Sequence, residues 1–254
     1  MAHAPTRSAP VVQLTTRPIR FGVTGTDTGV GKTVVSCALA ARARRLGLRV
    51  SAMKPIESGV VERPESASGL ASDADRLRAA CASTRPLSVL RPYVLQEPLA
   101  PMIAAQRANV AIDFGVLDTA LAQVEQHADV VLVEGAGGLL VPITVRTSYL
   151  DLFARWNLPL LLVAGNRLGV LNHVLLTVRA AEAAGVLIRA VVLTELSDHD
   201  ATVAEATNFD ALATLLPNHT ILGFPWVDRP DDLDALATAA ERGGLDVLLA
   251  PLSP

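Results

Sequence analysis

Cysteine, histidine clusters, aromatic rings and long apolar runs are all scarce in this chain. Only 2 cysteines occur, Cys37 and Cys81, far apart and outside any C-x-x-C pair, which excludes a disulfide framework and a thiolate metal site; both read as small helix-buried residues in a reduced compartment. The 5 histidines, His3, His127, His173, His199 and His219, never fall into the spacing of a zinc centre. The longest apolar run, Leu158 to Gly165, is broken by Pro159 and has the length of a strand, so no window spans a membrane. A net charge of −3 leaves no electrostatic footprint for nucleic acid. Aromatic residues make up only 4 % of a composition that is 50 % hydrophobic and dominated by Ala, Leu and Val, which suits helices covering both faces of a parallel sheet.

Against that background one stretch stands out. Arg20 to Thr24 reads as a short buried strand, and Gly25-Thr26-Asp27-Thr28-Gly29-Val30-Gly31-Lys32-Thr33 leads from it into a helix with apolar residues at Val34, Val35, Ala38, Leu39, Ala41 and Leu46. Such a turn gathers backbone N–H groups around polyphosphate, the lysine reaches the β- and γ-phosphates, and the threonine hydroxyl can ligate Mg²⁺. One departure from G-x-x-x-x-G-K-[ST] is visible: Thr26 occupies the place of the first glycine, and Gly25 comes one residue early.

Strands and helices alternate along the rest of the chain. The patterns predict strands near 20–24, 49–54, 130–134, 159–164, 188–194 and 220–224, and helices near 32–46, 72–82, 101–107, 113–127, 149–155, 171–184, 200–215 and 232–242. The expected fold is α/β, a doubly wound, mostly parallel sheet of the P-loop NTPase type, with ligands at the C-terminal strand ends. Residues 1–17 carry no secretory core and are expected to form a mobile cytoplasmic tail ahead of a single domain over 18–254. Pro55 to Ser72, without periodicity, is expected to be a mobile loop over the site.

The predicted strand ends carry chemistry. Lys54, before Pro55 and near Ser58-Gly59, is either a snorkelling surface lysine or a charge aimed at a transferring phosphoryl group, and the proline stop favours the second. Glu134 ends the apolar run Val130 to Val133 ahead of Gly135, the position of a Walker-B-type acid, although it could cap a turn. Burying that carboxylate beside phosphates is most economical with a cation present. Asp73 and Asp75 each could supply a third acid or simply favour a helix start. Gly165 to His173 follows a strand and opens a helix, so its free N–H groups could hold a carboxylate; alternatively Asn172 caps the helix and His173 packs beneath it.

Taken together, Gly-Thr-Asp-Thr-Gly-Val-Gly-Lys-Thr, Lys-Pro-Ile-Glu-Ser-Gly, Ser-Asp-Ala, Glu-Pro-Leu-Ala-Pro, Val-Glu-Gly-Ala-Gly-Gly, Leu-Gly-Val-Leu-Asn-His and Gly-Phe-Pro-Trp, in this order over Arg20 to Trp226, resemble the dethiobiotin synthetases. The resemblance implies ATP-dependent ureido ring closure on 7,8-diaminononanoate and CO₂ in the cytoplasm, with Mg²⁺ required. It implies nucleotide contacts from Asp27, Thr28, Gly29, Val30, Gly31, Lys32 and Thr33, with Lys32, Lys54, Thr28 and Ser58 around the reacting groups. Thr33, Asp73 and Glu134 would surround Mg²⁺, which prefers Asp73 over Asp75. Substrate contacts fall to Thr28, Ser58, Pro101, Gly169, Val170, Leu171 and Asn172, the last four across a homodimer interface.

Two positions depart from the family pattern. The resemblance implies nucleotide contacts from Thr194, Pro225 and Trp226, but Thr194 stands where many relatives have an asparagine that reads the base, and Trp226 could equally be a core anchor; Met102 stands where histidine is common. Among other classes, a partition-type ATPase would carry a second lysine where this chain has Asp27. An amidotransferase-type synthetase would need a glutaminase domain, for which no room is expected after residue 254. A degenerate phosphate-binding module would have no reason to keep Lys32, Thr33, Lys54 and Glu134 together.

Overall fold

A computed structural model describes residues 18–60, 72–198 and 200–250; the expected N-terminal tail and most of the expected loop before Ser72 lie outside these. Six strands, β1 (Ile19–Gly25), β2 (Val50–Met53), β5 (Val130–Gly138), β6 (Leu160–Gly165), β7 (Ile188–Thr194) and β8 (Ile221–Phe224), form one sheet in the order β2-β5-β1-β6-β7-β8. Every neighbouring pair in it is parallel. The strands are apolar without alternation because both faces are covered. In β5, for example, Val130 and Leu132 face one hydrophobic cluster while Val131 and Val133 face the other.

Helices α1 (Lys32–Arg45), α2 (Asp73–Ala80) and α9 (Leu233–Arg242) pack on the first face. Helices α4 (Pro101–Arg107), α5 (Phe114–Glu125), α6 (Tyr149–Arg155), α7 (Val170–Ala183) and α8 (Val203–Leu215) cover the second. Buried between sheet, α2 and α9, α1 presents small or apolar residues on nearly every side, from Val35 and Cys37 to Ala41 and Ala43. Among the described residues no helix is long and apolar enough to cross a membrane.

The sequence patterns miss several elements. Ile56–Ser58 (β3) lies in the segment expected to be loop and pairs in parallel with Tyr93–Leu95 (β4), with a single helical turn at Leu87–Leu90 (α3) just before β4. Three-residue strands are too short for a period to register. A 3₁₀ segment at Leu245–Leu249 also escaped, and α8 begins at Val203 rather than near residue 200. The largest correction concerns β5. Glu134 does not end this strand, which continues to Gly138 and pairs there with Gly25. The glycines that read as a turn instead let other groups come close: a Cβ on Gly135 would stand 3.1 Å from the Tyr149 ring and 3.3 Å from that of Phe153.

Candidate active site

The C-terminal ends of β1, β2 and β5 converge on a cleft of about 590 Å³, within the range of small-molecule sites. Its floor is the turn between β1 and α1. Gly29 and Gly31 take φ values of +74° and +87°, so the backbone can turn back on itself where an L side chain would be strained. No side chain caps α1, and Gly31 is its N-cap, which leaves the helix start open to an anion. The early Gly25 has a steric reason: a Cβ there would come within 2.9 Å of the Asp27 carbonyl oxygen and of Val30, and 3.1 Å from the Lys32 ammonium. That ammonium donates to the Asp27 carbonyl at 2.9 Å, folded over its own loop. Burial lowers the Lys32 pKa to about 8, with Lys54 adding to the effect and Glu134 and Asp73 opposing it.

Lys54 follows β2 directly and is 3 % exposed, which removes the snorkelling alternative. Its ammonium donates to Asp73 Oδ2 at 2.7 Å, to Glu134 Oε1 at 2.8 Å and to the Gly135 carbonyl at 3.3 Å. Burial alone would lower its pKa, but the two carboxylates outweigh burial and hold it above the ordinary lysine value. Glu134 is wholly buried and also accepts from Thr33 Oγ1 at 2.8 Å and Ser36 Oγ at 2.7 Å. Both its oxygens are thus satisfied, so a turn-capping role is excluded.

The two acids of α2 separate. Asp73 points to Lys54; burial would raise its pKa, but the Lys54 contact outweighs burial and lowers it. Asp75 belongs to the helix start, where its N–H donates to Ser72 Oγ and its carboxylate accepts from the same hydroxyl at 2.6 Å. Thr33, Asp73 and Glu134 together offer a hydroxyl and two carboxylates, the hard oxygen donors that suit Mg²⁺. Among the described residues no group of three or more His, Cys, Asp or Glu could hold a metal. An ion here would draw most of its shell from phosphate and water, as Mg²⁺ commonly does.

Other expected residues are distributed around this cluster. Thr28, Gly29, Gly31 and Thr33 line the cleft, and Ser58 and Pro101 form part of the opposite wall. Val30 is buried beneath the loop. The Asp27 carboxylate accepts from the Thr28 N–H and from Arg167, which ties the phosphate loop to the turn before α7. Within that turn Gly169, at φ +92°, is the N-cap, followed by Val170 and Leu171, while Asn172 and His173 are exposed in the first turn of the helix. The alternative in which Asn172 caps the helix over a packed His173 is therefore removed: the helix starts two residues earlier than Asn172. Met102 sits on α4, whose start Pro101 joins to the cleft wall.

Thr194 is 2 % exposed, and its hydroxyl lies 2.8 Å from the Val30 carbonyl and 3.2 Å from that of Ala164. A threonine there fastens the phosphate loop to the sheet. Pro225 is half-buried, and Trp226, at 44 % exposure, donates its indole N–H to Asp228, so Trp226 is no core anchor. Sequence patterns gave no role to Ser36, Glu57, Arg76 or Arg91. Glu57 and Arg76 line the cleft. Ser36 was the most accessible of these, since three residues after Thr33 on a helix it shares the face turned to β5.

A phosphate loop, buried lysine and paired acids at the strand ends of a parallel sheet define a P-loop nucleotide-dependent enzyme, and the AAA domain family profile matches residues 20–228. Curated relatives narrow the class. "ATP-dependent dethiobiotin synthetase BioD" of Anaeromyxobacter sp. (strain Fw109-5) is 44 % identical over 201 residues, covering 76 % of this chain and 87 % of that protein. The protein of the same name from Anaeromyxobacter dehalogenans (strain 2CP-C) is 45 % identical, covering 76 % and 87 %. "ATP-dependent dethiobiotin synthetase BioD 1" of Escherichia coli O157:H7 is 35 % identical, covering 84 % and 93 %. The chain belongs to the ATP-dependent dethiobiotin synthetases, ligases of biotin biosynthesis.

Proposed function

We propose that residues 18–254 act as a single cytoplasmic synthetase unit that uses Mg²⁺ and ATP to close 7,8-diaminononanoate and CO₂ into dethiobiotin. One observation carries this reading: a fully buried lysine ammonium, held by Asp73 and Glu134, faces the same cleft as the phosphate loop and as Thr28 and Ser58. One amine of the substrate captures CO₂ as a carbamate. A carbamate oxygen then attacks the γ-phosphorus, ADP leaves, and a carbamic–phosphoric anhydride results. The second amine attacks the carbonyl carbon, phosphate leaves, and a proton is lost as the ring closes.

No protein nucleophile is needed, because the phosphoryl transfer asks chiefly for placement and positive charge. Lys32 and Lys54 supply that charge at the γ-phosphoryl oxygens, Lys54 from a position already fixed and dry. The hydroxyls of Thr28 and Ser58 hydrogen-bond the carbamate and the diamine, and Pro101 shapes the wall beside them. Thr33, Asp73 and Glu134 hold Mg²⁺, which neutralises phosphate charge when bound. Thr194 contributes through the loop it fastens, while Pro225 and Trp226 flank the base. Gly169, Val170, Leu171 and Asn172 receive the substrate carboxylate from a second copy of the chain at a homodimer interface.

The test is phosphate release from Mg·ATP and bicarbonate as a function of added 7,8-diaminononanoate, with dethiobiotin followed by mass in the same samples. Stoichiometric, diamine-dependent release with product is expected. Hydrolysis independent of the diamine would overturn the assignment and favour a nucleotide switch.

A further inference from the structure

We propose that Glu57 and Arg91 form a buried positioning pair whose task is to set Asp73 against Lys54 and the metal side of the phosphate site. The proposal rests on the reading of Asp73 as a Mg²⁺-side acid. Glu57 on β3 is 4 % exposed and Arg91, just after α3, is 9 % exposed. Glu57 Oε1 accepts the Asp73 backbone N–H at 2.6 Å, and Glu57 Oε2 accepts from Arg91 at 2.8 Å. The same Arg91 nitrogen donates to Ser72 Oγ at 2.8 Å. That hydroxyl also accepts from the Asp75 N–H and donates to the Asp75 carboxylate, so its one proton and two lone pairs are all used. Each oxygen of Glu57 likewise has its own partner, one on the Asp73 backbone and one on Arg91, which is the arrangement of a group that fixes its neighbours.

The scaffold beneath this pair explains β3 and β4. Their parallel pairing brings Ile56 opposite Tyr93, and so places Glu57 beside the segment that begins at Arg91. One residue earlier, the Leu90 carbonyl accepts the backbone N–H of Lys54 at 2.7 Å. Leu90 and Arg91 therefore pin both partners of the 2.7 Å contact between Lys54 and Asp73, one directly and one through Glu57. A buried ion pair is weak evidence for stability, since an apolar pair of similar volume commonly does as well, and fixing a geometry is the better-attested use of such a pair. Groups that orient a metal ligand in this way typically change metal affinity by about 10- to 100-fold when removed.

The experiment is a calorimetric titration of Mg²⁺ into the full chain with a non-hydrolysable ATP analogue, for wild type, Asp73→Asn, Glu57→Ala, Glu57→Gln and Arg91→Gln. Glu57→Ala and Arg91→Gln are expected to raise the half-saturating Mg²⁺ concentration about 10- to 100-fold while metal-free binding of the analogue stays at the wild-type level. Glu57→Gln keeps an acceptor for the Asp73 N–H and is expected to shift less than Glu57→Ala. A wild-type Mg²⁺ requirement in Glu57→Ala, with only a lower melting temperature, would overturn the positioning role; if that variant does not fold, Arg91→Gln decides by the same criterion. An unchanged requirement in Asp73→Asn would instead overturn the metal-side role of Asp73 and the pair's role with it. A shift in Asp73→Asn without one in Glu57→Ala would sink the pair alone.

Discussion

Two lysines within one cleft carry opposite electrostatic histories, and each difference has a measurable consequence. Lys32, with its pKa lowered by burial to about 8 from the ordinary 10.5, binds fewer protons in the folded chain than in the unfolded chain between those values. Stability of the nucleotide-free protein is therefore expected to rise with pH across that window, and this contribution is lost as pH falls through 8. Bound polyphosphate favours the charged ammonium, so ATP-analogue affinity is expected to fall over the same window, with proton uptake on binding near pH 8.5. Calorimetry in buffers of differing ionisation enthalpy reads that uptake directly, and Lys32→Met should abolish it. Lys54 behaves otherwise because Glu134 and Asp73 enclose it. Replacing it by glutamine leaves the two acids without their cation, and breaking a buried pair in this way costs about 3–5 kcal/mol. Lys54→Gln is thus expected to melt lower, to regain part of that loss with Mg²⁺, and to lose at least about 100-fold in turnover as a charge contact at the transferring phosphoryl group disappears. A variant with wild-type turnover would end the role given to Lys54.

At the scale of elements, the main sheet and the phosphate loop were legible in the sequence because they depend on local signals: uninterrupted apolar runs for strands covered on both sides, and a glycine-rich turn ahead of a helix. Glu134 is legible through its apolar run, but its place within the strand is not, since Gly135, Gly137 and Gly138 carry turn chemistry, whereas in the fold Gly135 lies against Tyr149 and Phe153 of α6 and Gly138 pairs with Gly25. Glu57 and Arg91 were illegible for a different reason. Arg91 has no periodic or motif position, Glu57 stands inside Lys-Pro-Ile-Glu-Ser-Gly with nothing local to give it a task, and their meeting depends on two three-residue strands paired across more than thirty residues. Asp73 and Asp75 were separable only by a resemblance, because both suit the first turn of a helix; geometry distinguishes them by giving one to Lys54 and the other to Ser72. Both cysteines are buried, as their apolar helical surroundings in the sequence imply, Cys37 in α1 and Cys81 at the end of α2. Burial raises both thiol pKa values, that of Cys81 to about 12. Neither is expected to react with an aromatic disulfide reagent at pH 8 in the native protein, whereas both should react in denaturant; fast labelling of the folded chain would contradict the packing of α1 against α2.

At the scale of the whole molecule, the proposed second copy has its place on the turn that opens α7. Leu168, 86 % exposed, precedes α7, and Leu176, 58 % exposed, lies on it one turn beyond exposed Asn172, so two exposed leucines flank the residues proposed to meet the second copy. The same turn is fastened to the phosphate loop through Arg167 and Asp27, so a neighbour seated on it is coupled to the nucleotide site by a direct contact. Sedimentation equilibrium is expected to give twice the 26.7 kDa chain mass. Leu176→Arg places a charge one helical turn beyond Asn172 without touching the cleft, since Leu176 is exposed and is not among the cleft-lining residues. It is expected to yield a folded monomer with ATP-analogue affinity near wild type and a KM for the diamine raised by at least about tenfold, because a carboxylate that loses charge-assisted hydrogen bonds gives up about 1.5–3 kcal/mol. A monomeric variant with unchanged KM would place the carboxylate contacts within one chain, and a variant that stays dimeric with unchanged KM would move the interface away from α7.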